Sequence, residues 1–277
     1  MDRLKLDIEN KIWEYFFAKV KGFPFCEMYL SNLYNKQGFS YKNCEVEILL
    51  NDKSNPVSLA VQKILTEQDL SFGIKIFQVE YEKSKILMGC VPVEDGNKTE
   101  IYIFYDSHLL DILTESEILF GVAHEVGHHV IQQPGSPKDI FNLACLHSLS
   151  ESHEMEQIKI ISNFLSQLSE YNADRYALFI TKDISICNSA LNKIGEEESK
   201  KNPLEQTQEE RQTMFREDRL AKLTMRHPVL EDRIKAQEIV ANFIGDSNFV
   251  LSENPKICKQ LKELLCFDEF YLRFCNS

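Results

Sequence analysis

No stretch of this 277-residue chain approaches the ~18–20 uninterrupted apolar residues of a membrane span. The opening MDRLKLDIENKIWEYFFAKVKGFPF does not read as an export signal, because its apolar run is short, is broken by Glu14 and is preceded by acids. A cytoplasmic location is therefore expected. Basic residues are in deficit, 31 against 43 acidic ones, for a net charge of −12. That excludes nucleic acid as a main partner, since phosphate binding needs a basic surface, and it disfavours anionic membranes. Eight cysteines contain no C-x-x-C pair, and a chain this long and apolar needs no disulfide framework, so they read as reduced, packing thiols. Internal repeats and low-complexity tracts are absent. What is present is 43% hydrophobic and 27% charged residues, ordinary for a soluble globular protein of one large or two small domains.

The pattern along the chain changes from strands to helices. Residues 3–20 place Leu4, Ile8, Ile12, Phe16 and Val20 at a helical step. CEVEILL (44–50), FGIKIFQVEY (72–81), SKILMGCVPV (84–93) and TEIYIFYD (99–106) read as strands, the last being the clearest. NPVSLAVQKIL (55–65) reads as a helix with an Asn cap and a first-turn Pro. EDGNK (94–98) is a turn, PGSP (134–137) a loop and GEEESKKNP (195–203) a charged loop. Helices are expected over about 154–181, 205–225 and 229–243, with one more in the last 25 residues. Strands followed by helices make an α+β fold with a small, mostly antiparallel sheet.

TESEILFGVAHEVGHHVI (114–131) is a helix that opens on a capping box, Thr114 with Glu117. At ~100° per residue His124 and His128 lie about 40° apart on the side opposite Leu119, Val122, Val126 and Val130. His129 falls a further ~100° round, toward the apolar flank, and cannot join them on one ion. Two imidazoles one turn apart supply adjacent corners of a zinc tetrahedron. Glu125 stands beside the first ligand, where its carboxylate can serve as general base toward a metal-activated water. Gly121 and Gly127 would leave room for substrate.

A catalytic zinc needs a third protein ligand. His108, His147, His153, His227 and many acids are candidates, but LSEYNADRYALFI (168–180) stands out. Glu170 and Asp174 are four apart, so they share a helical face where like charges repel. The pairing becomes favourable if Glu170 binds the cation and Asp174 accepts the free ring N–H of His124 or His128.

HEVGH followed by EYNAD resembles the gluzincin metallopeptidases, and specifically the family of CAAX prenyl proteases and HtpX-type heat-shock proteases. The order of strand, helix and active-site helix in TEIYIFYDSHLLDILTESEILFGVAHEVGHHV is similar to that family, as is RHPVLEDRI (226–234). The resemblance covers roughly residues 55–240. It implies a zincin-type helical core, His124, His128 and Glu170 as zinc ligands, Glu125 as base and Asp174 as the outer partner of a ligand. It also implies His227 near the open side of the metal, as an oxyanion donor or a fourth ligand, with Arg233 bracing that loop. Such proteases bind an extended peptide by adding it to a sheet edge, here expected at 99–106. This chain lacks the membrane helices and export signal of many members and resembles the soluble, minimal ones. The family's N-A-F-A-like segment is not recognisable near ILMGCVP.

The resulting expectation is a zinc-dependent endopeptidase acting on a protein or peptide. Residues 1–40 would be an N-terminal helical extension, 41–245 the peptidase domain and 246–277 a C-terminal helical extension. Two rivals are a cytosolic regulatory protease with one triggered target and a non-catalytic, zinc-stabilised interaction module. Retention of Glu125 speaks against the latter.

Overall fold

The computed structural model describes residues 4, 6–20, 45–70, 72–79, 87–95, 98–131, 153–201, 228–244 and 250–275. Expectations for PGSP, for a helix over 205–225, for His147 and for His227 lie outside the described residues. The rest is a mostly helical α+β arrangement. Helix α1 (Asp7–Val20) is followed by β1 (Glu45–Ile48), α2 (Pro56–Glu67), β2 (Gly73–Val79), β3 (Met88–Asp95) and β4 (Lys98–Asp106). Next come a short α3 (Leu109–Ile112), α4 (Glu115–Val130), α5 (His153–Thr181), α6 (Ile184–Lys201) and α7 (Leu230–Ile244). Among the described residues no helix is long and apolar enough to cross a membrane.

The four strands form one sheet in the order β1-β2-β4-β3. Two antiparallel ladders, β1 with β2 and β3 with β4, flank a parallel ladder between β2 and β4. The sheet is therefore mixed. The chain leaves β2, runs out to β3 and returns through a hairpin, so β4 settles beside β2 in the same direction. This corrects the expected place of the edge. Lys98–Asp106 is paired on both sides and offers no free edge, whereas among the described residues β1 and β3 are the edge strands. Pro92 lies inside β3, a position an edge strand tolerates because one row of its backbone groups is unpaired.

Helix α4 crosses α5 at very short range, and Gly127 permits it. A Cβ there would stand 3.0 Å from Ala173 Cα, 3.0 Å from Tyr176 Cβ and 3.1 Å from Ala173 O. Gly127 thus admits α5 rather than substrate. Gly121 is occupied too, since its missing Cβ would meet Met88 Sδ of β3 at 3.2 Å.

Other expectations need correction. The charged segment 195–203 does not form a loop where it is described, because α6 continues to Lys201. Glu and Lys are good helix formers, and Gly195 marks a close packing point, with Leu230 Cδ2 of α7 at 3.4 Å from its would-be Cβ. The last 25 residues do not make one helix. A 3₁₀ turn (Leu251–Glu253) leads into α8 (Pro255–Leu264), and Cys266, at φ 49°, breaks the chain before the short α9 (Phe267–Phe270) and a π turn.

Helix α1 docks on α5 through a buried ion pair. The Glu9 carboxylate accepts hydrogen bonds from Arg175 Nη2 at 3.1 Å and Asn172 Nδ2 at 2.8 Å. The other end of the helical layer is tied by Glu117. It closes the capping box of α4 and also accepts from Ser189 Oγ and Lys193 Nζ of α6, at 2.5 and 2.8 Å.

Two outcomes follow for stability. Gly127→Ala is expected to destabilise by about 1–3 kcal/mol in urea unfolding, because its contacts are with backbone and a neighbouring Cβ that cannot yield. Gly121→Ala, which meets only a flexible Met side chain, is expected to be near neutral. Burial raises the Glu117 carboxyl, but hydrogen bonds from Lys193, Ser189 and Thr114 outweigh it and lower it from 4.5 to about 2. A folded pKa below the unfolded one stabilises above pH 4.5, and that stabilisation is lost as pH falls toward 2. Urea midpoints across this window are expected to fall less steeply in Glu117→Gln than in the wild type.

Candidate metal centre

Helix α4 fixes the first two candidate ligands. Thr114 begins it, its N–H donating to Glu117 Oε2 at 2.7 Å while Thr114 Oγ1 accepts from Glu117 N at 3.4 Å. From that start His124 and His128 face α5, their rings 4.8 Å apart and nearly perpendicular at 84°. Across the crossing at Gly127, α5 presents Glu170. His124 Nε2 lies 3.4 Å from Glu170 Oε2 and His128 Nε2 lies 3.6 Å from Glu170 Oε1. The ligand atoms of these three residues all lie within 4.8 Å of one another. Ligands held ~2.0–2.1 Å from a tetrahedral zinc stand about 3.4 Å from each other. The donor set of two neutral imidazoles and one carboxylate suits that ion.

Each imidazole is oriented from behind. His124 Nδ1 is 2.9 Å from Asp174 Oδ1, so its Nδ1–H donates to the carboxylate and leaves Nε2, which faces Glu170, as the atom a metal would take in place of a proton. His128 Nδ1 is 2.9 Å from Ser169 Oγ. The alternative left open by sequence is thereby divided, Asp174 serving His124 and Ser169 serving His128. No sequence rule pointed to Ser169. Its one signal is its position next to Glu170, which turns its side chain toward α4.

Asp174 is 1% exposed and needs a cation. Arg233 of α7 supplies it, Nε donating to Oδ2 and Nη2 to Oδ1, both at 2.7 Å. The same Nη2 is 3.5 Å from Glu170 Oε2. Arg233 thus braces the two carboxylates, while the loop at His227 that it was expected to brace lies outside the described residues. Burial opposes the charge on Glu170, but His124, His128 and Arg233 hold its carboxyl well below the usual range. Burial likewise opposes Asp174, and Arg233 first and then His124 lower it. Burial disfavours the charge on His124, yet Asp174 and Glu170 raise it to about 10. At His128 burial dominates and lowers it, toward the neutral form a metal accepts.

Glu125 is half-buried beside His124, and its charge is felt at His128. His129 points elsewhere. Its Nε2 is 3.1 Å from Cys90 Sγ of β3 and its ring meets Phe72 edge-on at 6.5 Å. Burial lowers it to about 3.

Replacing Arg233 by Ala would leave Asp174 buried without a cation, and is expected to cost about 3–5 kcal/mol in urea unfolding. Asp174→Asn removes the acceptor behind His124 and is expected to weaken zinc binding about 10–100-fold in a chelator-competition titration.

Residues 144–239 match the model of peptidase family M48. No curated protein and no solved structure matches the chain. The matched segment begins beyond HEVGH and carries Glu170, Asp174, His227 and Arg233. The family consists of zinc metallopeptidases, and over residues 144–239 this chain is similar to it in sequence; His124, His128 and Glu170 are placed so that they could hold a metal ion.

Proposed function

We propose that this chain is a zinc-dependent endopeptidase of the CAAX prenyl protease and HtpX-type kind, acting on proteins or peptides in the cytoplasm. The observation that carries the reading is the meeting of His124 Nε2, His128 Nε2 and the Glu170 carboxylate, each backed by a side chain that fixes its direction. The cytoplasmic setting accords with the five free cysteines among the described residues.

Bound zinc would supply a Lewis acid that polarises water and the scissile carbonyl. The protein's own groups do the rest. His124, His128 and Glu170 hold the ion, with Asp174 and Ser169 keeping each Nε2 lone pair aimed inward. Glu125 accepts a proton from the attacking water on its carboxylate and returns it to the nitrogen of the leaving amine. His227, which follows Arg226 and precedes Pro228 at the approach to α7, is assigned to the developing oxyanion or to the fourth metal position. The substrate backbone adds to the free edge of β3, which takes over the role that 99–106 cannot fill.

The test is metal content and casein cleavage in the wild type and in Glu125→Gln. Both are expected to carry about one zinc, and the variant to cleave about 10²–10⁴-fold more slowly. A wild type that holds zinc and cleaves nothing would leave the interaction-module reading in its place.

A further inference from the structure

Cys90 sits on the edge strand and His129 on the metal-binding helix, and neither has a part in the chemistry described above. The Cys90 thiol donates to the backbone carbonyl of Glu125 at 3.2 Å. With that proton used, the 3.1 Å contact to His129 Nε2 requires the ring to donate its Nε2–H to the sulfur. Burial, first, and the nearby Glu125 charge keep the thiol protonated, well above its ordinary range. The sulfur is therefore a two-sided hydrogen-bonding link between β3 and the carbonyl of the residue assigned as base.

The link belongs to a regular seam. Met88 and Cys90 are two apart on one face of β3, about 7 Å along the strand. On α4 their contacts are Gly121, and then Glu125 and His129, at successive steps of four residues or about 6 Å. The strand step is close to the first helix step, so Met88 meets α4 at Gly121 and Cys90 meets it one turn on, at the Glu125 carbonyl, with the His129 side chain reaching back from the turn beyond. A one-residue slip of β3 would turn Cys90 to the other face of the sheet.

We infer that Cys90 and His129 are positioning residues that lock the edge strand against the metal-binding helix, so that a peptide added to β3 presents its scissile carbonyl at the height of Glu125. The inference rests on the peptidase reading above. It assigns a role to His129 that neither metal binding nor helix packing requires, and gives Cys90 a reason to be a hydrogen-bonding residue rather than an apolar one.

The experiment compares Cys90→Ala, Cys90→Ser and His129→Leu with the wild type, measuring kcat and KM on one casein-derived peptide, zinc content, and deuterium exchange of the β3 amides. Displacement of a bound substrate by about 1 Å can cost 10²-fold in rate. Cys90→Ala and His129→Leu are expected to lower kcat about 10–100-fold with KM changed by less than about threefold, unchanged zinc content and faster exchange over 88–95. Cys90→Ser, whose hydroxyl can donate to the Glu125 carbonyl and accept from His129, is expected to recover most of the loss. Should Cys90→Ala fail to fold, His129→Leu breaks the same link from the helix side with the same readouts. Unchanged kcat in the variants of an active wild type, or a Ser variant as impaired as the Ala one, overturns the inference alone. A zinc-loaded wild type without cleavage overturns the peptidase reading and the inference together.

Discussion

The candidate metal centre depends on how closely two helices can approach. Glu170 reaches both imidazoles only because α4 has no side chain at Gly127, where α5 lies within 3.0–3.1 Å of a would-be Cβ. Interiors pack too densely for such a contact to give. The separation of the helices therefore fixes the separation of the ligands, and the two distances from Glu170, 3.4 and 3.6 Å, follow from a backbone contact rather than from flexible side chains.

Around that contact the charges are arranged in depth. Glu170 and Asp174 stand one turn apart and would repel if left alone. Arg233 comes from a third helix to hold Asp174 with two hydrogen bonds and to approach Glu170. His124 lies between the two carboxylates, one on each ring nitrogen. Buried charge of this kind is costly unless every member is paired. The pairing is complete only when α4, α5 and α7 are all in place. The site and the helical packing are one structure.

What the sequence makes legible is what is local. The capping box, the step from His124 to His128 and the step from Glu170 to Asp174 are properties of single helices, and each can be placed by counting. The turn of His129 away from Glu170 follows from the same count. The sheet is different, because strand order depends on pairings between distant residues. TEIYIFYD reads as the best strand, and it lies inside the sheet, flanked on both sides, while the edges fall to β1 and the weaker β3. Glycine misleads for a related reason. Gly121, Gly127 and Gly195 suggest space or a chain break when read alone, and each proves to be a point of close approach to a residue far away in sequence. Ser169 is silent until a three-dimensional neighbour gives it a partner, and Arg233, singled out by the resemblance, shows its carboxylate partners only once the helices are packed.

The ion pair of Glu9 with Arg175 spans 166 residues. Arg175 directly follows Asp174 and is 1% exposed, with Nε and Nη1 lacking hydrogen-bond partners among the described residues. Its charge depends on an acid from the first helix of the chain. Contacts this remote in sequence incur a loop-closure cost that their own stabilisation must offset. The helix carrying Glu170 and Asp174 is therefore anchored, on the side away from the candidate metal centre, by the beginning of the chain.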